Sequence, residues 1–180
     1  MKKQLLFGLF MVLFTSLYAQ EDHRQIEHKT TFGIKAGSIG SPATRVDRSK
    51  INGIQGLYGG IYLNTRFHKK WSFQNEVDFS ITNGYLFIEV PMVLKYHIND
   101  KWSVFMGPKL DILLNNDLKY FGDTDFKTYG ISAEIGIQYN ISKRFFIEAR
   151  YSYSFSKQIN FKHFPSNNRT TFRIGIGYRF

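Results

Sequence analysis

The sequence contains no cysteine at any of its 180 positions. This absence excludes a disulfide framework, a thiolate metal site and lipid attachment through an N-terminal cysteine. The five histidines share no metal-ligand spacing either, since they lie at positions 23, 28, 68, 97 and 163. The glycine-rich run GLYGGIY, residues 56–62, lacks the lysine and the following helix of a phosphate-binding loop. We therefore expect neither a metal nor a cofactor.

Signals for nucleic-acid binding are also lacking, although the formal net charge is +10. The lysines and arginines are scattered along the chain, and no recognition helix, zinc spacing or RNP-like run is present. Strong helix formers do not dominate the composition. Phe, Tyr, Ile, Gly, Ser and Thr do, and aromatic residues make up 17% of the chain, which indicates β structure. We expect no nucleic-acid partner.

The chain has one long apolar run, residues 5–17, which follows two lysines and precedes Ala19. This arrangement predicts a cleaved export signal over residues 1–19. The alternative, a transmembrane anchor, is disfavoured because the run is short and two hydroxyl residues interrupt it. Residues 20–29 are polar and predict a flexible periplasmic lead, which leaves 30–180 as one folded domain. Export without cysteine fits a bacterial envelope protein.

From residue 30 onward, large apolar and small or polar residues alternate, as in β-strands with two different faces. The alternating segments are roughly 8 to 14 residues long, and a tilted strand needs about 9–11 residues to cross a membrane. Eight such segments are predicted as strands, at residues 30–37, 55–67, 71–81, 85–98, 102–114, 129–141, 145–155 and 169–180.

The connections between these segments are of two kinds. Three share one plan, an apolar residue followed by three polar residues and an aromatic residue, at 67–71, 98–102 and 141–145. The others are long and polar at 38–54, 115–128 and 156–168, and tight at 83–84. An up-and-down meander places all short turns and both termini at one end, as in outer-membrane barrels with short periplasmic turns. The prediction is an all-β, eight-stranded antiparallel up-and-down transmembrane barrel with both termini in the periplasm.

The two faces of the predicted strands indicate the barrel's polarity. The apolar faces carry more large side chains than the lumen of an eight-stranded barrel can hold. We therefore expect them to face outer-membrane lipid, including lipopolysaccharide, and the polar faces to line the lumen. Charges in the lumen must pair, because an isolated buried charge is very costly. The predicted lumen ion-pair ladder consists of Glu76, Asp78, Glu89, Lys95, Lys109, Asp111, Glu134, Glu148, Arg150 and Arg173.

Two prolines oppose this interpretation. Pro91 and Pro108 lie in the middle of neighbouring strands, where each removes a hydrogen-bond donor from the ladder. We expect a local bulge at each.

A soluble barrel with its apolar face inward is the alternative to a membrane barrel, and it would need no detergent.

Aromatic residues mark one end of the predicted barrel. Trp71, Trp102 and Phe145 each follow a short turn, and Phe180 falls at the same level, so the four predict a periplasmic aromatic girdle. The last segment, RTTFRIGIGYRF, is expected to pair with the first strand and close the barrel. Its final aromatic residue resembles the signal read by the outer-membrane assembly machinery, which is therefore an expected partner.

Two segments resemble a known group of proteins. YLFIEVPMVLKY, residues 85–96, resembles a hallmark stretch of the small outer-membrane β-barrels of the Bacteroidetes, the PorT-like family. Residues 136–155 are similar to the family's next landmark, a Gly-rich strand, a tight turn and a strand with Glu-Ala-Arg-Tyr, although Ser154 stands where the family often has glycine. The resemblance covers residues 31–180. It implies the Gram-negative outer membrane and, for some members, a role in assembling a secretion machine.

The functional expectation is a non-enzymatic barrel with a structural or interaction role in the envelope. A narrow channel for small solutes or apolar molecules is one alternative. A lipid A-modifying enzyme is another, because some eight-stranded outer-membrane enzymes use His and Ser close together, and this chain has His163 and Ser166. A proline separates the two and no orienting carboxylate can be named, so no catalytic residue is expected. The polar loops could bind lipopolysaccharide phosphates or an envelope protein partner.

Overall fold

The computed structural model describes seven parts of the chain, residues 29–40, 56–82, 85–114, 124–126, 128–156, 159–161 and 170–180. The predicted signal peptide, 1–19, and nearly all of the predicted lead lie outside these residues. The described strands are β1 (Lys29–Gly40), β2 (Gly56–His68), β3 (Trp71–Thr82), β4 (Tyr85–His97), β5 (Trp102–Leu113), β6 (Thr124–Phe126), β7 (Tyr129–Asn140), β8 (Phe145–Ser154), β9 (Ile159–Phe161) and β10 (Thr171–Arg179). The described part of the chain contains no helix long and apolar enough to span a membrane.

Eight strands form a closed antiparallel barrel in the order β1-β10-β8-β7-β5-β4-β3-β2. The closing pair joins β1 to β10, from Gly33 opposite Arg179 to Gly40 opposite Phe172. Closure gives every barrel strand two neighbours, so no row of backbone donors and acceptors is left at an edge of the barrel. The predicted eight-stranded up-and-down barrel is confirmed.

Side chains alternate between the lumen and the outer face along each barrel strand. In β3, Glu76, Asp78 and Ser80 are buried inside the barrel, whereas Phe79 and Ile81 are exposed on its outside. Large apolar side chains dominate the outer face, and the buried face is rich in charge. This polarity is the reverse of a soluble barrel and is typical of one surrounded by lipid.

The structure corrects several predicted boundaries. The first strand continues past residue 37 to Gly40, because Ser38 and Ile39 pair with both β10 and β2. The connections predicted as loops at 115–128 and 156–168 contain β6 and β9, which pair as a separate two-stranded sheet. These short segments lack the alternation by which the barrel strands were found.

The first short turn and the two prolines also differ from expectation. His68 pairs with Trp71, which leaves a two-residue turn, and the ladder between β2 and β3 shifts register between Arg66 and His68. At Pro91 and Pro108 the expected bulges are absent from the described strand pairs. The register of β4 against β3 and β5 is the same before and after each gap in the ladder. A proline lacks only one donor, so each strand loses pairing locally without inserting an extra residue.

Candidate functional site

The centre of the lumen is organised by the Arg150 guanidinium on β8. Its Nη1 lies 2.8 Å from Glu76 Oε2 and 2.6 Å from Glu134 Oε1, and its Nη2 lies 2.7 Å from Glu148 Oε2. A second bond, Nη2 to Glu76 Oε1 at 2.8 Å, makes the Glu76 contact bidentate. All these side chains are fully buried. One arginine thus joins carboxylates from β3, β7 and β8 across the lumen.

Lys35 on β1 completes this central cluster. Its ammonium contacts Glu76, lies 2.9 Å from Asp78 Oδ2 and lies 3.8 Å from Glu148 Oε1. Tyr58 donates a hydrogen bond of 3.1 Å to the same Glu148 oxygen. Lys35 is not among the predicted ladder residues. The signal was present, because lysine alternates with apolar residues in TTFGIKAG and so falls on the polar face of its strand.

A second cluster lies closer to the long loops. Lys109 Nζ lies 2.8 Å from Glu89 Oε2 and 3.1 Å from Asp111 Oδ1. Arg173 contacts Glu89, and its Nη1 lies 3.6 Å from Asp78 Oδ2. Asp78 therefore links the two clusters, because it also contacts the lysine of β1. The structure brings nine of the ten predicted ladder residues into one connected set of ion pairs.

Lys95, the tenth predicted ladder residue, departs from the prediction. It is buried, yet within the described residues no carboxylate lies within ion-pair distance of its ammonium. It instead donates hydrogen bonds to the amide oxygens of Gln74 and Gln138, the latter at 2.8 Å, and its Nζ lies 5.5 Å from the centre of the Phe105 ring. Amide dipoles and an aromatic face replace the expected ion pair.

Aromatic rings fill the lumen beside the charges, and four of them lie opposite a glycine of a neighbouring strand. A Cβ on Gly136 would lie 2.6 Å from Phe105 Cε2, so the ring occupies the space that a side chain would need. Glycine is thus required here by close approach of the ring rather than by backbone conformation. The cross-strand pairs of this kind are Tyr58–Gly37, Tyr62–Gly33, Phe105–Gly136 and Phe146–Gly177.

The end of the barrel formed by turns 69–70, 98–101 and 141–144 is called the turn end. Each of its three turns accepts the same kind of backbone hydrogen bond from an adjoining strand. The bonds run from His97 N to Lys70 O, from Asn140 N to Lys101 O and from Arg179 N to Arg144 O, each at 2.8 Å. The repeat places equivalent side chains at equivalent heights around the barrel.

The predicted girdle residues lie at the turn end, and each packs on a second aromatic ring. The ring centres are 4.8 Å apart in Trp71–Tyr96, 4.7 Å in Trp102–Tyr139, 5.0 Å in Phe145–Tyr178 and 5.0 Å in Phe32–Phe180. The partner rings are not among the predicted girdle residues. The repeats YHINDKW and YNISKRF would have revealed two of them, since Tyr96 and Tyr139 each lie two residues before a turn.

A cavity of about 550 Å³ opens at the turn end, inside the aromatic belt formed by the girdle residues and their partner rings. We call it the turn-end basin. Mostly polar residues from β1, β2, β4, β7, β10 and two of the turns line it, and Asp100 is the one acidic side chain among the described lining residues. Six cationic side chains line it, those of Lys29, Arg66, Lys101, Lys143, Arg144 and Arg179.

Comparison with known proteins identifies this architecture. The family described as "Outer membrane protein beta-barrel domain" matches residues 7–180. The chain belongs to this family. Its place is therefore the outer membrane.

Solved structures share the fold at low sequence identity. Ail of Yersinia pestis in a phospholipid bilayer nanodisc is 17% identical, with a TM-score of 0.52, over 84% of this chain and 100% of Ail. The N-terminal β-barrel domain of Pseudomonas aeruginosa OprF is 10% identical, with a TM-score of 0.51, over 86% and 100%. Neisserial surface protein A is 13% identical, with a TM-score of 0.50, over 83% and 95%. No curated protein matches in a sequence search.

The other candidate residues are the histidines and Ser166. His163 and Ser166, the pair considered for lipid A chemistry, lie outside the described residues, as do His23 and His28. His97 hydrogen-bonds Ser72 and Ser103 at 2.9 Å each. Among the residues that the structure describes, no group of three or more His, Asp or Glu side chains could hold a metal ion.

Proposed function

We propose that this chain is a non-enzymatic structural or interaction protein of the cell envelope. The observation that carries the proposal is the filled lumen. Arg150, Arg173, Glu76 and Glu89 are at most 2% exposed and meet across the barrel axis, and aromatic rings occupy the space beside them. A barrel with such an interior offers its surfaces, rather than a passage, for function.

The finer placement is part of the proposal. The two segments that resemble the PorT-like barrels of the Bacteroidetes support membership of that group and a role in assembling secretion machinery. Three short turns at one end and long connections at the other support a periplasmic turn end, with both termini on that side. The long connections then face outward, where lipopolysaccharide or an envelope protein would contact them.

The closing strand supports a further partner. β10 ends in alternating large apolar residues followed by Phe180, and such a strand is the kind of signal that an outer-membrane assembly machinery reads. The bond from Phe180 N to Phe32 O, 3.0 Å long, fixes this segment to β1. Assembly of the barrel would therefore depend on the same residues that seal it.

Affinity purification of the full chain from detergent-extracted outer membranes tests the interaction role. We expect a partner protein that is retained in constant ratio to the barrel and is absent when an unrelated eight-stranded barrel is purified in the same way. Chemical crosslinking before extraction should yield the same partner. Repeated recovery of the barrel alone, with and without crosslinking, would contradict the proposal.

A narrow channel is the second candidate, because the turn-end basin gives water access to one end of the lumen. Beneath the basin lies a layer in which Lys95 donates hydrogen bonds across the barrel to Gln74 and Gln138. Conduction would require that layer and the ion-pair clusters behind it to move apart.

A further inference from the structure

The turn-end basin carries positive charge that the described protein does not neutralise. Its six cations form no ion pair with any described carboxylate, including Asp100 in the same lining. Their hydrogen bonds within the described residues go to neutral groups, as from Arg144 to the Tyr178 hydroxyl at 3.3 Å and from Arg179 to the Lys143 carbonyl at 3.4 Å. The lumen clusters behave differently, because nearly every cation there meets a carboxylate.

The layer beneath the basin is linked to it by side-chain hydrogen bonds. Asn140 lines the basin and accepts a hydrogen bond of 2.8 Å from Gln138, which in turn binds Lys95. Lys95 is the lumen cation that contacts amides instead of carboxylates. Concave sites lined by one sign of charge focus the field and concentrate ligands of the opposite sign. The basin is thus built to attract anions.

The shape of the basin selects among anions. Arg66 on β2 and Lys143 in the turn between β7 and β8 stand on nearly opposite walls, since two strands separate β2 from β8 on one side of the barrel and four on the other. One compact anion would not reach both walls, whereas an extended chain with several carboxylates would. The basin also lies inside the aromatic belt, so a ligand enters along the axis from water rather than sideways from the lipid.

We propose that the turn-end basin binds a carboxylate-rich peptide segment of a partner protein. Guanidinium and ammonium groups on the rim pair with glutamate or aspartate side chains, and the basin's volume of about 550 Å³ is in the usual range for a ligand pocket. The inference deepens the proposed interaction role and rests on it for its biological purpose. It holds for either compartment that the turn end faces.

The test measures binding of fluorescein-labelled hexaglutamate to the full-length barrel in a zwitterionic detergent by fluorescence anisotropy. We compare Lys101→Gln/Lys143→Gln, in the basin lining, with Lys69→Gln/Lys70→Gln, whose side chains lie in the first turn outside that lining. Both double variants remove the same charge from exposed turn positions. We expect the basin variant to weaken binding about tenfold and the control variant to leave it nearly unchanged.

Several outcomes would overturn the proposal. Equal weakening by the two double variants would mean nonspecific attraction to a basic surface, and equal binding of hexaglutamine would remove the role of the carboxylates. Displacement of the peptide by an equal concentration of inorganic phosphate would indicate a small-anion site. Loss of binding in nanodiscs with anionic lipid, but not in neutral ones, would indicate a headgroup site.

Two arrangements keep the test decisive. Heat-modifiable migration on gels checks that each variant is folded, and Arg144→Gln against Lys69→Gln provides a one-charge comparison if the basin double variant does not fold. Failure of the interaction role is distinguishable: a purification that yields no partner leaves peptide binding intact. A partner retained equally by both double variants would overturn the basin proposal and leave the interaction role standing.

Discussion

At the scale of single residues, the lumen depends on a few cations that each serve several carboxylates. Arg150 contacts three glutamates, and Lys35 contacts two of the same groups and Asp78. Removing one partner of a buried ion pair leaves its counter-charge buried without compensation, and this costs far more than the pair itself contributes. A single substitution at either cation should therefore be felt throughout the cluster.

Arg150→Met tests this dependence. We expect a loss of about 3–5 kcal/mol in the free energy of unfolding, because Glu76, Glu134 and Glu148 stay buried without the guanidinium. Urea unfolding in lipid vesicles, followed by tryptophan fluorescence, measures the change. Arg144→Met is the matched control, since that arginine is exposed at the turn end and should alter stability little. Equal midpoints for the two variants would contradict the central role of Arg150.

At the scale of elements, the closing strand is held at both its faces. Gly177 leaves room for the Phe146 ring inside the barrel, and Phe180 stacks on Phe32 outside it, with ring centres 5.0 Å apart. The seam between β1 and β10 joins the two strands that lie farthest apart in sequence. Contacts at this seam therefore decide whether the barrel closes after the other strands have paired.

Phe180→Ala should weaken closure of the barrel. It removes an aromatic contact worth about 0.5–1.5 kcal/mol beyond the buried area, at the most non-local strand pair. We expect less heat-modifiable, membrane-inserted protein at unchanged total expression, measured by fractionation and gel migration. Phe180→Tyr, which keeps the ring, should behave like the native chain. Normal membrane levels of the alanine variant would show that the ring is dispensable for assembly.

At the scale of the whole molecule, the barrel combines an apolar exterior with a polar interior that is closed by its own charges. The described lumen holds six carboxylates and five cations, so its charge is nearly balanced without a bound ion. The unbalanced charge lies at the turn end, where the basin opens to water. Function is thus expected at the ends of the barrel rather than through it.

We predict that the purified barrel does not conduct ions in planar lipid bilayers. Conduction would separate buried ion pairs such as Arg150–Glu76, and each separated charge would have to be solvated inside a lumen that side chains already fill. Single-channel recording at high salt, with a porin as the positive control, measures this. Reproducible unitary currents from the pure protein would contradict the closed lumen and favour the channel alternative.

The sequence by itself determined the strands and their two faces, because alternation of large apolar residues with small or polar ones is a local property of the chain. It also determined which charges share the lumen face, and the three turns with their aromatic residues. Only the tertiary structure decided which charges meet. Lys35 reaches three carboxylates, Lys95 reaches none, and six cations gather around one basin, because register and closure, rather than local pattern, set the distances between residues remote in sequence.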